Sequence, residues 1–296
     1  MSVRTWKRVI TVTVLIVILG LSSSTIFFIC ENNELKKENT LIAEQNLSIA
    51  EECDHLTQFL GLIEDSSMRE YTKEFTNLYV ENDFEFIDND NKIVYLTFDD
   101  GPNAIVTPQI LDTLKNYDIK ATFFVIYGDS PEQIALYKRI VDEGHTLAVH
   151  TASHKYSNIY ASVEAYLSDF EMISNHIENV TGVKPDIFRF PGGSINGYNA
   201  NLYDQLIPEM LRRGYTYYDW NVSSGDATVP KLGATAISNN IINGCSPDVK
   251  NIVLCHDGGG HSATATALPV VIEALIAEGY TFDRLTNDVR PVNFGY

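Results

Sequence analysis

The stretch Ile93-Val-Tyr-Leu-Thr-Phe-Asp-Asp-Gly-Pro102 organises the chain. Its first half is apolar, β-branched and aromatic, the composition of a buried strand. Its second half sets two adjacent carboxylates, Asp99 and Asp100, where Gly101 and Pro102 stop that strand. Successive strand residues point to opposite sides, so neighbouring acids at a strand end can do different jobs. One can hold a metal while the other handles a proton. Alone, Asp-Asp-Gly-Pro would read as an ordinary acidic turn. The rest of the chain decides otherwise.

Apolar runs and helical patterns alternate after that stretch. Strands are predicted near 93–98, 121–126, 146–150, 186–190, 215–222, 251–256 and 280–285. Helices are predicted near 106–117, 131–143, 161–180, 200–213, 231–243 and 263–278. Such alternation means βα units and a parallel sheet. About seven strands suit an α/β fold built as a (β/α) barrel, or an open doubly wound sheet.

The polar residues that stand out fall at the ends of these strands. Asp99 and Asp100 close the first, and His150 closes the third with His154 four residues on. Arg189 closes the fourth, Asp226 follows the fifth, and His256 closes the sixth in Val253-Leu-Cys-His-Asp257. In parallel α/β folds the C-terminal strand ends share one face, and that face carries the active site. Five separate segments therefore converge in space.

The residue types suggest the chemistry. Two histidines and a carboxylate make a three-ligand site with an open position, as catalytic zinc requires. His150-Thr-Ala-Ser-His154 supplies the histidines and Asp100 the carboxylate. A His-x-x-x-His pair is a weak metal signal alone and a strong one beside a strand-end Asp. The remaining acid, Asp99, is placed to take a proton from water, with Arg189 to hold it by a charge-assisted hydrogen bond. His256 is placed to protonate a leaving group, with Asp226 to fix its tautomer and keep it charged.

Thr97-Phe-Asp-Asp-Gly101, His150-Thr-Ala-Ser-His154, Arg189-Phe-Pro-Gly192, Trp220 to Asp226, and Leu254-Cys-His256 stand in that order. Residues 92–290 thereby resemble the polysaccharide deacetylases with a NodB-homology domain, carbohydrate esterase family four. The resemblance implies a distorted (β/α) barrel and a metal-dependent hydrolase acting on C–N bonds. It implies Asp99 as base, Asp100, His150 and His154 as metal ligands, and Arg189 as the brace of the base. It implies His256 as acid and Asp226 as its partner. An oxyanion would be held by the metal and a backbone N–H near Gly192, and Leu254 would shape the pocket for the acetyl methyl group. The implied cofactor is a divalent metal, zinc foremost, with cobalt or manganese as alternatives. The implied substrate is a cell-wall or extracellular polysaccharide, foremost the N-acetylglucosamine of peptidoglycan. Chitin-like, poly-N-acetylglucosamine and O-acetylated glycans stay open. A non-catalytic glycan-binding protein is the contrasting reading, and it would require one of these side chains to be missing.

Two departures bear on substrate shape. The third motif often carries an aromatic after its proline, and here Gly192 and Gly193 follow Pro191. The fourth often has Trp after its Asp, and here it is Ala227. Phe190 or Trp220 is available as a sugar platform, although core packing suits both. His145 reads as a structural histidine, His55 and His176 as surface residues, and His261, on the loop after His256, as a solvent-exposed loop residue with substrate contact as the alternative. Cys255 alternates away from His256 on its strand and reads as core.

The N-terminus bears on location. Arg4, Lys7 and Arg8 precede residues 9–30, which carry no charge. At about 1.5 Å per residue such a helix spans the roughly 30 Å hydrocarbon core. Basic residues before it, with Glu31 and Glu34 after it, predict an inside N-terminus and everything else outside. A cleaved signal peptide is the alternative, since Ser22-Ser23-Ser24 offers small residues. The apolar run resumes through Ile26-Phe27-Phe28-Ile29, which suits an uncleaved anchor. Leu35, Ile42, Ile49, Leu56 and Ile63 then recur every seven residues, a heptad seam. Asn39, Asn46, Cys53 and Leu60 occupy the second seam position, so only a weak coiled coil is expected, either a stalk able to pair two chains or a lone helix. The expected organisation is an anchor over 1–30, a stalk over 31–65, a linker over 66–91 and a catalytic domain over 92–296.

The 296-residue chain has a formal net charge of −18, which argues against nucleic acid or anionic lipid as a main partner. Its four cysteines, Cys30, Cys53, Cys245 and Cys255, lack zinc-ribbon spacing. Whether Cys245 and Cys255 pair is open at this level.

Overall fold

The computed structural model describes residues 70–87 and 92–294. The expected anchor over 1–30 and the stalk over 31–65, with Cys30, Cys53 and His55, lie outside the described residues. Among the described residues no helix is long and apolar enough to cross a membrane.

One parallel sheet carries the fold. Its strands are β1 (Ile93–Asp99), β2 (Thr122–Ile126), β3 (Thr146–Thr151), β4 (Ile187–Phe188), β5 (Thr216–Tyr217), β6 (Val222–Ser223), β7 (Asn251–His256) and β8 (Thr281–Asp283). The order across the sheet is β5-β4-β3-β2-β1-β7-β6, with β8 added beside the start of β1. All pairings are parallel. Strands covered on both faces need near-continuous apolar runs. β1 meets that demand, being buried from Val94 to Asp99.

The strand expected over 215–222 is two short strands. Its first part, β5, bonds β4, and its second part, β6, bonds β7. Both edges of the sheet thus belong to one stretch of chain that changes partner across residues 218–221. The sheet curls toward a barrel whose seam this stretch crosses. The physical reason for the break is Arg189, which takes carbonyls in that stretch as hydrogen-bond acceptors: its Nε donates to Tyr218 O at 2.8 Å and its Nη2 to Asp219 O at 3.1 Å.

The interior of the curl is built in layers. Tyr95, Phe124, Ala148, Ile187, Tyr218, Ile252 and Leu285 form one buried cluster, drawn from successive positions around the sheet. Side chains alternate along a strand, so residues two and four further on also face inward. From Tyr95 these are Thr97 and Asp99, from Ala148 it is His150, from Ile187 it is Arg189, and from Ile252 they are Leu254 and His256. Pairing of Asp99 with His256 in the β1–β7 register sets those two at one height. The apolar layer is therefore the floor of the polar one.

The helices run Val106–Asn116, Pro131–Asp142, Val163–Thr181, Tyr203–Arg212, Ala234–Gly244 and Ser262–Ala277, close to the expected segments. Local signals explain their bounds. Ser130 caps Pro131–Asp142 by accepting from Gln133 N, and Ser162 caps Val163–Thr181 by accepting from Ala165 N. Gly182 ends the latter with φ of 75°. A further helix, Tyr156–Ile159, was not expected.

The segment expected as a linker packs, over its described part 70–87, against the domain. Tyr71 and Leu78 are buried. The Arg213 guanidinium, itself without exposure, donates to the carbonyls of Tyr71, Glu74 and Phe75 and to Glu209 Oε1 at 2.7 Å. Glu209 is equally enclosed. Arg212 also donates to both Glu209 oxygens at 2.8 Å, so removing Arg213 leaves that carboxylate paired and chiefly orphans the buried carbonyls of the 71–75 turn, at a cost of about 1–3 kcal/mol. Arg213→Ala is accordingly expected to lower the urea-unfolding free energy by that amount. A loss under about 1 kcal/mol would mean that the 70–87 segment does not depend on this clamp.

Candidate active site

Asp99 ends β1 almost fully buried, and Asp100 begins the turn with φ of 72°. Positive φ is uncommon for a residue with a side chain, and here it turns Asp100 away from the alternation that placed Asp99. The turn is tied to β2 on both sides of the reversal, with Asp100 N donating to Phe124 O and Ile126 N to Gly101 O. Asp99 Oδ1 accepts from Arg189 Nη1 at 2.9 Å, and the same nitrogen reaches Thr97 Oγ1 at 2.6 Å. Arg189 has no solvent exposure, and its guanidinium lies 4.3 Å from the Phe124 ring centroid.

His150 and His154 meet Asp100 across the turn. His150 Nδ1 lies 2.9 Å from Arg189 O. A carbonyl can only accept, so Nδ1 carries the proton and Nε2 presents a lone pair. That Nε2 stands 3.5 Å from Asp100 Oδ1, and His154 Nε2 stands 3.1 Å from the same oxygen. Asp100 Oδ1 is buried and makes no hydrogen bond, despite that proximity. The three donor atoms lie within 4.8 Å of one another. Burial holds His150 below the ordinary histidine pKa, against the fields of Asp99 and Asp100, so the ring is neutral and able to ligate. An orphaned carboxylate oxygen facing two imidazole Nε2 atoms fits a divalent cation.

Asp226 and His256 form the opposite side. His256 Nδ1 lies 2.7 Å from Asp226 Oδ1. Asp226 Oδ2 accepts from His256 N at 2.8 Å and from Thr264 Oγ1 at 2.7 Å. Burial lowers the His256 pKa, but the Asp226 hydrogen bond and the Asp99 and Asp226 charges outweigh it and raise it to about 9. For Asp226, burial pushes upward, yet the His256 hydrogen bond, with the His261 ring close by, leaves its carboxyl far below the ordinary range.

The remaining expected residues also find places. Gly192 follows Pro191 with φ of 80°, and no hydrogen bond among the described residues uses its N–H. Leu254 is half-buried on β7, two residues before His256. Trp220 is half-buried against Phe294, the core cluster and the Arg189 guanidinium. Phe190 is core, as is Cys255. Cys245 and Cys255 are both free thiols.

Two histidines differ from expectation. His261 is not a solvated loop residue: its ring lies 5.1 Å from that of His256, with Nδ1 3.7 Å from Asp226 Oδ2. The turn leading into helix Ser262–Ala277 folds it inward. His176 is not free surface either, since its Nε2 bonds Gly128 O and its ring packs on Tyr127. His145 is structural as expected, accepting from Ala121 N.

Two acids were missed. Asp169, on helix Val163–Thr181, bonds Thr151 Oγ1 and accepts from Ala152 N at 2.6 Å and Ser153 N at 2.9 Å. It shapes the turn between the two histidines, and nothing in its local sequence marks it. Asp257 is fully buried and bonded to Thr107 Oγ1 at 2.5 Å, with Oδ1 unpartnered. Burial, reinforced by the Asp100 and Asp99 charges, raises its pKa to about 7. Its position next to His256 was the available signal.

Comparison with known proteins finds relatives of the whole domain. Residues 87–209 match the family model for polysaccharide deacetylase. A peptidoglycan-N-acetylglucosamine deacetylase from Bacillus cereus is 32% identical over 214 residues, covering 71% of this chain and 75% of that protein. The crystal structure of the catalytic domain of a peptidoglycan N-acetylglucosamine deacetylase from Eubacterium rectale superposes with a TM-score of 0.67 and 38% identity, covering 71% of this chain and 95% of that one. That of a polysaccharide deacetylase from Bacillus cereus gives a TM-score of 0.61 and 32% identity, covering 69% and 97%.

The dyad makes a titration testable. NMR titration of metal-free protein is expected to show His256 losing its proton near pH 9. In Asp226→Asn the carboxylate support is gone while burial remains, so the midpoint moves down toward or below the ordinary value of about 6.5. An unchanged midpoint would assign the elevation to something other than Asp226.

Proposed function

The chain belongs to the polysaccharide deacetylase family, and we propose that it removes N-acetyl groups from the N-acetylglucosamine of peptidoglycan in a metal-dependent hydrolysis. The observation carrying this reading is the convergence of three units on one face: the Asp99–Arg189 pair, the Asp100–His150–His154 group and the His256–Asp226 dyad. The names of the relatives support the polymer. Membership of the family makes the chain a hydrolase acting on C–N bonds.

Two imidazoles and one carboxylate form a donor set suited to zinc, with cobalt and manganese as alternatives. When bound at Asp100, His150 and His154, the cation supplies Lewis-acid polarisation and lowers the pKa of water. The chain's own residues do the rest. Asp99 Oδ1 is held by Arg189, and no hydrogen bond among the described residues holds Oδ2, the oxygen that in this reading takes a proton from the attacking water. The water oxygen adds to the amide carbon, and the Gly192 N–H is available to the developing oxyanion. His256, kept protonated by Asp226, delivers its proton to the sugar nitrogen as the C–N bond breaks. Acetate and a free amino sugar result. Leu254 lines the site as an apolar neighbour for the acetyl methyl group.

The uncharged stretch over residues 9–30, flanked by basic residues on its N-terminal side, supports an enzyme tethered to the outer face of a membrane, close to wall polymer. Release after signal cleavage is the alternative.

Acetate release by the full-length protein from peptidoglycan and from N-acetylglucosamine oligomers tests the reading. Release is expected to need added zinc, to stop with chelator and to be lost in His150→Ala. Asp99→Asn is expected to lower kcat by roughly 10²–10⁴ while still binding metal. Metal-independent release, or an active Asp99→Asn protein, would overturn the mechanism. Faster release from chitin-like, poly-N-acetylglucosamine or O-acetylated glycans would reassign the polymer.

A further inference from the structure

A sugar chain needs a wall beside the ligand group, and the third motif contributes no side chain after Pro191. Gly192 and Gly193 both have left-handed backbone, with φ of 80° and 88°. Rings from elsewhere occupy the space that side chains there would fill. A Cβ at Gly192 would stand 3.0 Å from the Tyr156 ring, and one at Gly193 would stand 2.7 Å from the Phe294 ring. The double glycine is therefore the opening through which distant aromatics reach the rim.

Tyr156 lies two residues after His154 and meets that imidazole edge-on, with centroids 5.4 Å apart. On Tyr156 rests Tyr198, with centroids 4.7 Å apart. Tyr198 is 69% exposed, more than any other large aromatic among the described residues. It is not loosely held. Tyr156, Tyr160 and Tyr166 continue inward as a row, at 6.0 and 6.1 Å spacings, to a fully buried end. Asn196 locks the loop, donating to Pro191 O and Gly193 O at 3.1 and 3.0 Å and accepting from Tyr198 N at 2.8 Å.

We propose that Tyr198, backed by Tyr156, is the stacking platform for the sugar ring adjoining the one that loses its acetyl group. The proposal rests on the glycan reading above. A pyranose presents a face of C–H bonds, and an aromatic face is an apolar, weakly negative surface complementary to it. A ring anchored on a fixed loop loses little conformational freedom when a ligand covers it. Continuity with His154 selects the occupant, since the platform begins where the ligand group ends. The wall is thus rebuilt from Tyr156 and Tyr198 in place of the missing third-motif aromatic.

The test is kcat/KM of zinc-loaded full-length protein on acetylated sugars of one to six units, with an alkyl acetate ester as a control without sugar. Tyr198→Ala is expected to lower kcat/KM on a tetrasaccharide roughly two- to tenfold. The single sugar and the ester should be unaffected, and Tyr198→Phe should keep the oligomer rate because stacking does not use the hydroxyl. No loss at any length, or the same loss on monomer and oligomer, would overturn the platform while leaving the deacetylase reading intact. Ester hydrolysis by the wild type with no acetate released from any sugar would overturn both.

Discussion

The Arg189 guanidinium is the group on which the rest of the site depends. It is enclosed completely, yet each direction of its planar fork is answered: Thr97 and Asp99 on β1, and the carbonyls of Tyr218 and Asp219 at the seam. Its own carbonyl fixes the His150 tautomer. One residue thereby ties Asp99, the sheet closure and a metal-ligand candidate to one another. A buried charge is tolerable only with such complete pairing. Lysine has no fork to meet these acceptors at once.

Electrostatics divides the labour on that face. Asp99, Asp100, Asp226 and Asp257 gather there, with Arg189 the buried cation among them. The imbalance favours positive charge wherever the chain offers room for it. His256 answers it by holding a proton to about pH 9, and Asp100 faces the two imidazoles without any hydrogen bond to Oδ1. A cation beside Asp100 would offset part of the carboxylate field at His256, leaving Asp226 as the main support of its charge. Asp226 is equipped for that, with Thr264 and the His256 backbone already bonded to its second oxygen.

Much of this was legible because it is periodic. A run such as Val94–Phe98 must be a buried strand, and helical spacing between such runs implies a parallel sheet with its C-terminal ends on one side. Asp99, His150, Arg189 and His256 were found because each stands at the end of such a run. The split of the expected 215–222 strand was not legible, since it arises from Arg189 capturing carbonyls of a distant segment. Nor was the packing of 70–87, which depends on Arg213 reaching back along the chain. Asp169 bonds the turn between the histidines from the middle of a helix, where its local sequence resembles that of any solvated acid.

The residues alone settled which side chains are available and at which strand ends they stand, because alternation and strand length are local properties of the chain. The departures in the third and fourth motifs were equally plain there, since Gly192, Gly193 and Ala227 are simply read off. Only the tertiary structure decided what fills the space those small residues leave. Tyr156 and Phe294 come from segments far apart in sequence, and their meeting at the double glycine follows from how the sheet curls. His261 was assigned to solvent by its loop composition and brought against Asp226 by the turn that carries it. Local pattern specifies direction and burial, while contact between distant segments is set by closure of the whole sheet.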